Sequence, residues 1–187
     1  MRLNADMLLN QTKNLNLRAF KHSDIDAFLG WRNDPIVARF QGWPVPYSRS
    51  QAEHFFDALE TTTPGDPGEW YQVAIEHREL GKLIGDCAFK TSDSGIQAEV
   101  GYTLARPYHG QGFASEAVRG LLDYLFNTLN MHRVSAYCDT RNEPSWKLLQ
   151  RLNFRLEGHY IENYRDGGSW ASEYHYAMLK REWTEEM

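Results

Sequence analysis

Glu99-Val-Gly-Tyr-Thr-Leu-Ala-Arg-Pro-Tyr-His-Gly-Gln-Gly-Phe-Ala-Ser-Glu-Ala117 is the stretch whose reading decides the fold. A strand pattern ends near Leu104, a short linker leads to Gly110-Gln111-Gly112, and a long helix begins at once. The first turn of a helix leaves N–H groups without intrahelical partners at the positive end of its dipole. Glycines before it let a bound anion come close to those groups. A pyrophosphate fits this arrangement, although a turn that merely needs glycine would look the same. No Gly-Lys-Ser/Thr follows, which excludes a P-loop. The turn also lies late in the chain, behind an antiparallel meander, which argues against a dinucleotide fingerprint.

Downstream of the turn, Ala114, Ala117, Val118, Leu121, Leu122, Leu125 and Leu129 share one face, so the spacing predicts a helix over 112–129. Arg133–Cys138 reads as a short strand. Asn142 then caps a helix that carries Pro144 in its first turn and runs to Leu152, and Asn153 stands where a left-handed C-cap residue belongs. Two last strands, near Gly158–Tyr164 and Trp170–Leu179, flank Arg-Asp-Gly-Gly-Ser. Upstream, Trp70–Glu76, Lys82–Lys90 and Gln97–Leu104 form the meander, joined by tight turns. Earlier still, Ser48 and Gln51 resemble a capping box ahead of Ala52, Phe55, Phe56 and Leu59, and Ser23 with Asp26 resembles another. Pro35 ends that first helix or starts the next. Leu15, Leu17 and Ala19 alternate as a first strand. The order is β α α β β β α β α β β, an α+β pattern in which the strands before and after the long helix run parallel. Residues 1–14 are expected to be a flexible arm and residues 15–187 a single domain.

The 187 residues include 42% hydrophobic and 24% charged residues, which is globular composition. Twenty Lys and Arg against 25 Asp and Glu give a net charge of −5, so direct nucleic-acid binding is not expected. Cys87 and Cys138 are the only cysteines and no His/Cys cluster surrounds them, so neither a disulfide framework nor a metal site is expected. No apolar run approaches a membrane span and no signal peptide opens the chain, so the expected location is the cytoplasm.

The glycine turn resembles the acetyl-CoA-binding motif of the GCN5-related N-acetyltransferases (the GNAT superfamily), written Q/R-x-x-G-x-G/A. The wider Glu-Val-Gly-Tyr-Thr-Leu…Gly-Gln-Gly-Phe-Ala-Ser-Glu-Ala resembles the RimJ/RimL branch of ribosomal-protein N-terminal acetyltransferases, as does Arg141-Asn-Glu-Pro-Ser-Trp-Lys-Leu-Leu-Gln-Arg-Leu-Asn-Phe154. The chain departs from that pattern at Pro107, His109 and Asn153. The resemblance covers nearly the whole chain. It implies a mostly antiparallel central sheet of about seven strands with a splayed parallel pair, flanked by about four helices. It implies acetyl transfer from acetyl-CoA to a primary amine by direct attack. A protein N-terminal amine is the first acceptor, a small polyamine or aminoglycoside the second, and the protein is a monomer or homodimer. A non-catalytic acyl-CoA sensor is the alternative from another class.

By the same resemblance, His109, Gly110, Gln111, Gly112, Phe113 and Ala114 hold the pyrophosphate through their N–H groups. The backbone of Tyr102, Thr103 and Leu104 pairs with the pantetheine arm, Asn142 bonds it from the facing side, and Lys147 reaches a phosphate or is simply solvated. Moving acetyl from a thioester to an amine needs a neutral amine, a stabilised oxyanion and a proton for the leaving thiolate. Glu99 is the base candidate, acting through water, against the plain alternative of a surface strand glutamate. Ser145 is the acid candidate, with Tyr137 and Tyr160 as rivals. Phe40, Trp43 and Tyr47, in a Gly- and Pro-rich loop, are the candidate acceptor wall. Among seven histidines, His109 and His175 stand in segments of interest.

Overall fold

The computed structural model describes residues 7–184. Eight strands form one sheet: β1 (Leu8–Gln11), β2 (Leu15–Arg18), β3 (Trp70–His77), β4 (Lys82–Thr91), β5 (Gln97–Leu104), β6 (Arg133–Asp139), β7 (Arg155–Asp166) and β8 (Ser169–Leu179). Their spatial order is β1-β2-β3-β4-β5-β6-β8-β7, and only β5 and β6 run parallel. The helices are α1 (Ile25–Arg32), α2 (Pro35–Ala38), α3 (Arg49–Leu59), α4 (Phe113–Asp123), α5 (Glu143–Arg151) and α6 (Lys180–Thr184). Four of these exceed two turns, as expected, and the eighth strand is β1.

That strand corrects the expectation of a loose arm over residues 1–14. Leu8–Gln11 pairs with β2, and Thr12 and Asn14 are tied to α4, because Glu116 accepts hydrogen bonds from Thr12 Oγ1 at 2.6 Å and Asn14 N at 2.6 Å. The segment is polar because its partners are polar, which a hydropathy reading takes for disorder. Residues 1–6 lie outside the described residues.

Strand alternation divides the sheet into two faces. Val73, Ile75, Cys87, Phe89 and Val100 enter one core, covered by α4 and α5 through Val118, Leu121, Leu148 and Leu149, with Leu125 just beyond α4. Ala74 and Leu83 enter a second core with Phe28 and Trp31 of α1 and Ala52 and Phe56 of α3. The two helical caps are built as their sequences suggest. Ser48 Oγ accepts from Gln51 N while Gln51 Oε1 accepts from Ser48 N, a reciprocal capping box. At the end of α5, Asn153 has φ +59°, with Asn153 N donating to Gln150 O and Phe154 N to Leu149 O. This is a Schellman closure with asparagine in glycine's usual place.

Other boundaries differ from the sequence reading. Asp24, rather than Ser23 or Asp26, organises the entry to α1. Its carboxylate accepts from Lys21 N and from Arg18, ahead of a helix that begins at Ile25. Pro35 starts α2, capped by Asp34. The long helix is α-helical only to Asp123 and then widens to i→i+5 bonding over Tyr124–Thr128, with Leu129 N donating to Tyr124 O. The last two strands also extend beyond their predicted ends.

Gly85 sets how closely β4 approaches β5. It stands opposite Leu104, and a Cβ there would lie 2.3 Å from Thr103 O. Gly85→Ala is expected to lower the chemical-denaturation midpoint by an amount worth ~1–3 kcal/mol, the usual cost of overpacking. A wild-type midpoint would mean that β5 yields without strain.

Candidate active site

Hydrogen bonding between the parallel strands stops early. β5 and β6 pair only at Gln97–Arg133, Ala98–Val134 and Glu99–Ser135, yet β5 continues to Leu104 and β6 to Asp139. On its other side β5 stays paired with β4 as far as Leu104. The outer edge of Val100–Leu104 is therefore an open run of peptide groups inside a sheet, and a ligand carrying amides can complete it.

The glycine turn lies at the end of this open edge. Arg106–Tyr108 form one 3-10 turn, after which Gly110 and Gly112 adopt φ +72° and +87°. An L side chain is disfavoured in such a conformation. A Cβ on either glycine would meet nothing within 4 Å, so the space beside the start of α4 is open. A cavity of about 620 Å³ runs from this turn, past Ala114 and Ser115, along Tyr102–Leu104 to Pro144, Leu148 and Arg151 of α5. Its shape and its free N–H groups suit a phosphorylated carrier with an amide-bearing arm.

Seven of the eleven expected carrier-binding residues line this cavity (Tyr102, Thr103, Leu104, His109, Gly110, Gly112 and Ala114), while Gln111, Phe113, Asn142 and Lys147 do not. His109 is turned back: its backbone N–H, expected on the pyrophosphate, donates instead to Arg106 O at 3.1 Å, and Nε2 donates to Leu104 O at 2.7 Å, so the ring fastens the turn to the end of β5 and occupies that carbonyl. Lys147 pairs with Glu143 and lies over the Trp146 ring, so it is engaged along its own helix. Asn142 is the N-cap residue of α5, but its side chain makes no capping bond and does not line the cavity. Arg151, which the sequence reading passed over, does line it.

A second cavity, of about 610 Å³, opens on the opposite side of β5 and shares Gln41, Tyr102 and Thr103 with the first. Trp43, Tyr47, Phe55 and Trp70 wall it, and Arg32 and Asp86 supply its buried charges. Trp43 is fixed by its indole N–H donating to Arg32 O at 3.0 Å and by the Arg32 guanidinium 3.6 Å from its ring centroid. Phe40 lies elsewhere, in an adjoining polar cavity with Tyr137, Asp139, Tyr164 and Glu173. Asp86 escaped notice, although an aspartate within Leu83–Phe89 is the signal that would have found it: a charge in an apolar strand needs a buried partner.

At the junction of the two cavities Tyr102 reaches from β5 to α5. Its hydroxyl is 2.9 Å from Ser145 Oγ and 3.1 Å from Ser145 O. Burial pushes the Tyr102 phenol well above its usual pKa. The rival phenols are elsewhere: Tyr137 stacks on His175 at 4.4 Å, and Tyr160 flanks them. Cys138 lies beside Ser145, and burial raises its thiol to about 12, which leaves no thiolate for covalent catalysis at neutral pH. Glu99 is half-buried on the same side of β5 as Gly101 and Thr103, at the last position paired with β6, and lines neither cavity. Burial pushes its carboxyl above the ordinary value, Lys90 pulls against that, and Glu173 adds to it. Among the described residues no group of His, Cys, Asp and Glu could hold a metal ion, and no helix is long and apolar enough to cross a membrane.

These features agree with the comparisons. The acetyltransferase (GNAT) domain family matches residues 14–155. The uncharacterized N-acetyltransferase p20 of Bacillus licheniformis is 32% identical over 174 residues, spanning 92% of this chain and 97% of its own. Two solved structures share the fold at 20% identity and a TM-score of 0.81. One is spermidine N-acetyltransferase of Vibrio cholerae in complex with CoA and spermine, covering 92% of this chain and 99% of that one. The other is RimL, a ribosomal L7/L12 alpha-N-protein acetyltransferase in complex with coenzyme A, covering 92% and 97%. With a family match across its open β5 edge and glycine turn, the chain belongs to the GNAT acetyltransferases and is an acetyl-CoA-dependent N-acetyltransferase.

Proposed function

We propose that the protein acetylates the α-amine of a protein or peptide N-terminus by direct attack on acetyl-CoA. The observation that carries this reading is the arrangement around Tyr102. A groove for the carrier and an aromatic cavity for the acceptor meet at Tyr102 and Thr103 of an unpaired strand edge. The N–H groups from Gly110 to Ala114 hold the pyrophosphate, and the edge of β5 aligns the arm. Glu99 takes the amine proton through water, and its raised pKa brings it nearer to that of the amine, where proton transfer is efficient. Ser145 and Tyr102 return a proton to the leaving sulfur. An α-amine has a pKa of about 7.7–8.0, so this modest base suffices, whereas lysine at about 10.4 asks more of it. Both cysteines are free and buried, which suits a reducing cytoplasm.

A polyamine is the second reading, favoured by the proximity of Glu99 and Glu173 on the sheet. It ranks second because the acceptor cavity's one carboxylate, Asp86, is already paired with Arg32.

Glu99→Gln is expected to lower kcat by about 10²–10⁴-fold, the span typical of a lost general base. The wild-type rate should rise with pH as the carboxyl ionises, at a pH above the ordinary carboxylate range because the pKa is raised, and the variant should lose that step. A Gln variant with the wild-type rate and pH profile would remove Glu99 from the mechanism. Thiol release with spermidine but not with short peptides would replace the first acceptor by the second.

A further inference from the structure

The acceptor cavity holds a buried cation with unused donors. The Arg32 side chain is 9% exposed and lines the cavity. Among the described residues its guanidinium makes one hydrogen bond, Nη2 to Asp86 Oδ2 at 3.2 Å, and Nε has no partner. Aromatic faces surround it, with Trp43 at 3.6 Å and Phe28 at 4.5 Å, and these stack on the guanidinium without accepting its N–H bonds. Asp86 stands opposite Thr103 in the β4–β5 pair. A guanidinium offers five N–H donors, and leaving them unmade in a buried place is costly. The charge of this cavity sums to zero, so a ligand's second ammonium group would find no free carboxylate there. A ligand oxygen would find free donors.

We propose that Arg32 is a specificity residue that receives an acceptor oxygen, and that the substrate class is therefore an α-amino compound whose carbonyl lies on the carbon next to the one bearing the amine. This deepens the α-amine reading given above and rests on it. The aromatic walls would then hold the first side chain, with Arg32 reading the carbonyl and so setting where the amine points. An amine without a neighbouring oxygen would leave the same donors unpaired, which is how a polar site rejects an analogue that lacks the matching group. The bland alternative is that Arg32 only fastens the 40–47 loop through Trp43.

The test uses three probes with one side chain: phenylalaninamide, phenylalanine and phenethylamine. Their affinities are measured by calorimetry on the CoA-saturated protein, and their turnover by thiol release. For the wild type, phenylalaninamide should bind about 10- to 100-fold more tightly than phenethylamine, the range for a hydrogen bond to a charged group. Arg32→Met should bring that ratio within threefold, and Arg32→Lys should retain part of it. Equal ratios in wild type and Arg32→Met would overturn the proposal. So would a loss that is the same for all three probes, which is what a collapsed loop produces. Phenylalanine above phenylalaninamide would identify a free amino acid rather than a peptide end as the source of the oxygen. If none of the probes is turned over, the α-amine acceptor fails, while the affinity ratio still decides the role of Arg32.

Discussion

Gly112→Asp is expected to weaken CoA binding by about 100-fold or more. Two terms add. The position has φ +87° and ψ −11° at the N-cap of α4, where an L-residue costs ~1–2 kcal/mol. The new carboxylate would also stand at the mouth of the phosphate groove, where a like charge 4 Å away costs ~1 kcal/mol in bulk water and ~4 kcal/mol near a protein surface. Gly112→Asn separates the two, because asparagine tolerates the left-handed region and brings no charge. It should lose less than about tenfold. The aspartate penalty should shrink as salt is raised, since the charges are partly exposed. Folding should survive, because nothing lies within 4 Å of the added Cβ. Wild-type CoA affinity in Gly112→Asp would place the phosphates away from this turn.

Much of this site was legible because backbone demands leave sequence marks. A glycine pair before a run of spaced apolar residues marks an anion-binding helix start, and both glycines take the positive φ that such a turn needs. Asn153 was read as a left-handed cap for the same reason. The splayed strands are another matter. Nothing in Val100–Leu104 says that its partner bonds end at Glu99, and that expectation came from resemblance rather than from spacing. Side-chain roles were the least legible. Tyr102 was read for its backbone, because strand alternation gives no sign that a phenol will cross to α5 and meet Ser145. Lys147 was drawn toward phosphate by its place on a helix near the site, but Glu143 four residues earlier is the nearer partner, and an i,i+4 pair was visible in the sequence. Arg32 went unread: it closes α1, where the helix dipole favours any basic residue. Its burial depends on Trp43 folding back from eleven residues downstream, which no local pattern encodes.

Removing the phenol should cost nearly as much as removing the base. Tyr102→Phe is expected to reduce kcat by about 10²–10⁴-fold with CoA affinity preserved, as for the loss of a proton donor. The reason is positional. Tyr102 lines both cavities, its hydroxyl meets Ser145 on α5, and burial keeps it protonated well past the ordinary titration of tyrosine near 10. Ser145 shares its proton, since either hydroxyl can donate across their 2.9 Å contact. Two groups acting as one donor are not additive. Ser145→Ala should therefore lower kcat too, and the double variant should be little slower than the worse single one. If instead the two losses multiply, the hydroxyls act on separate steps. The wild-type kcat should also show no alkaline fall below about pH 9, because the donor stays protonated there. A Tyr102→Phe protein that turns over at the wild-type rate would leave the hydroxyl as a strut between β5 and α5, and the proton for sulfur would then have to come from solvent.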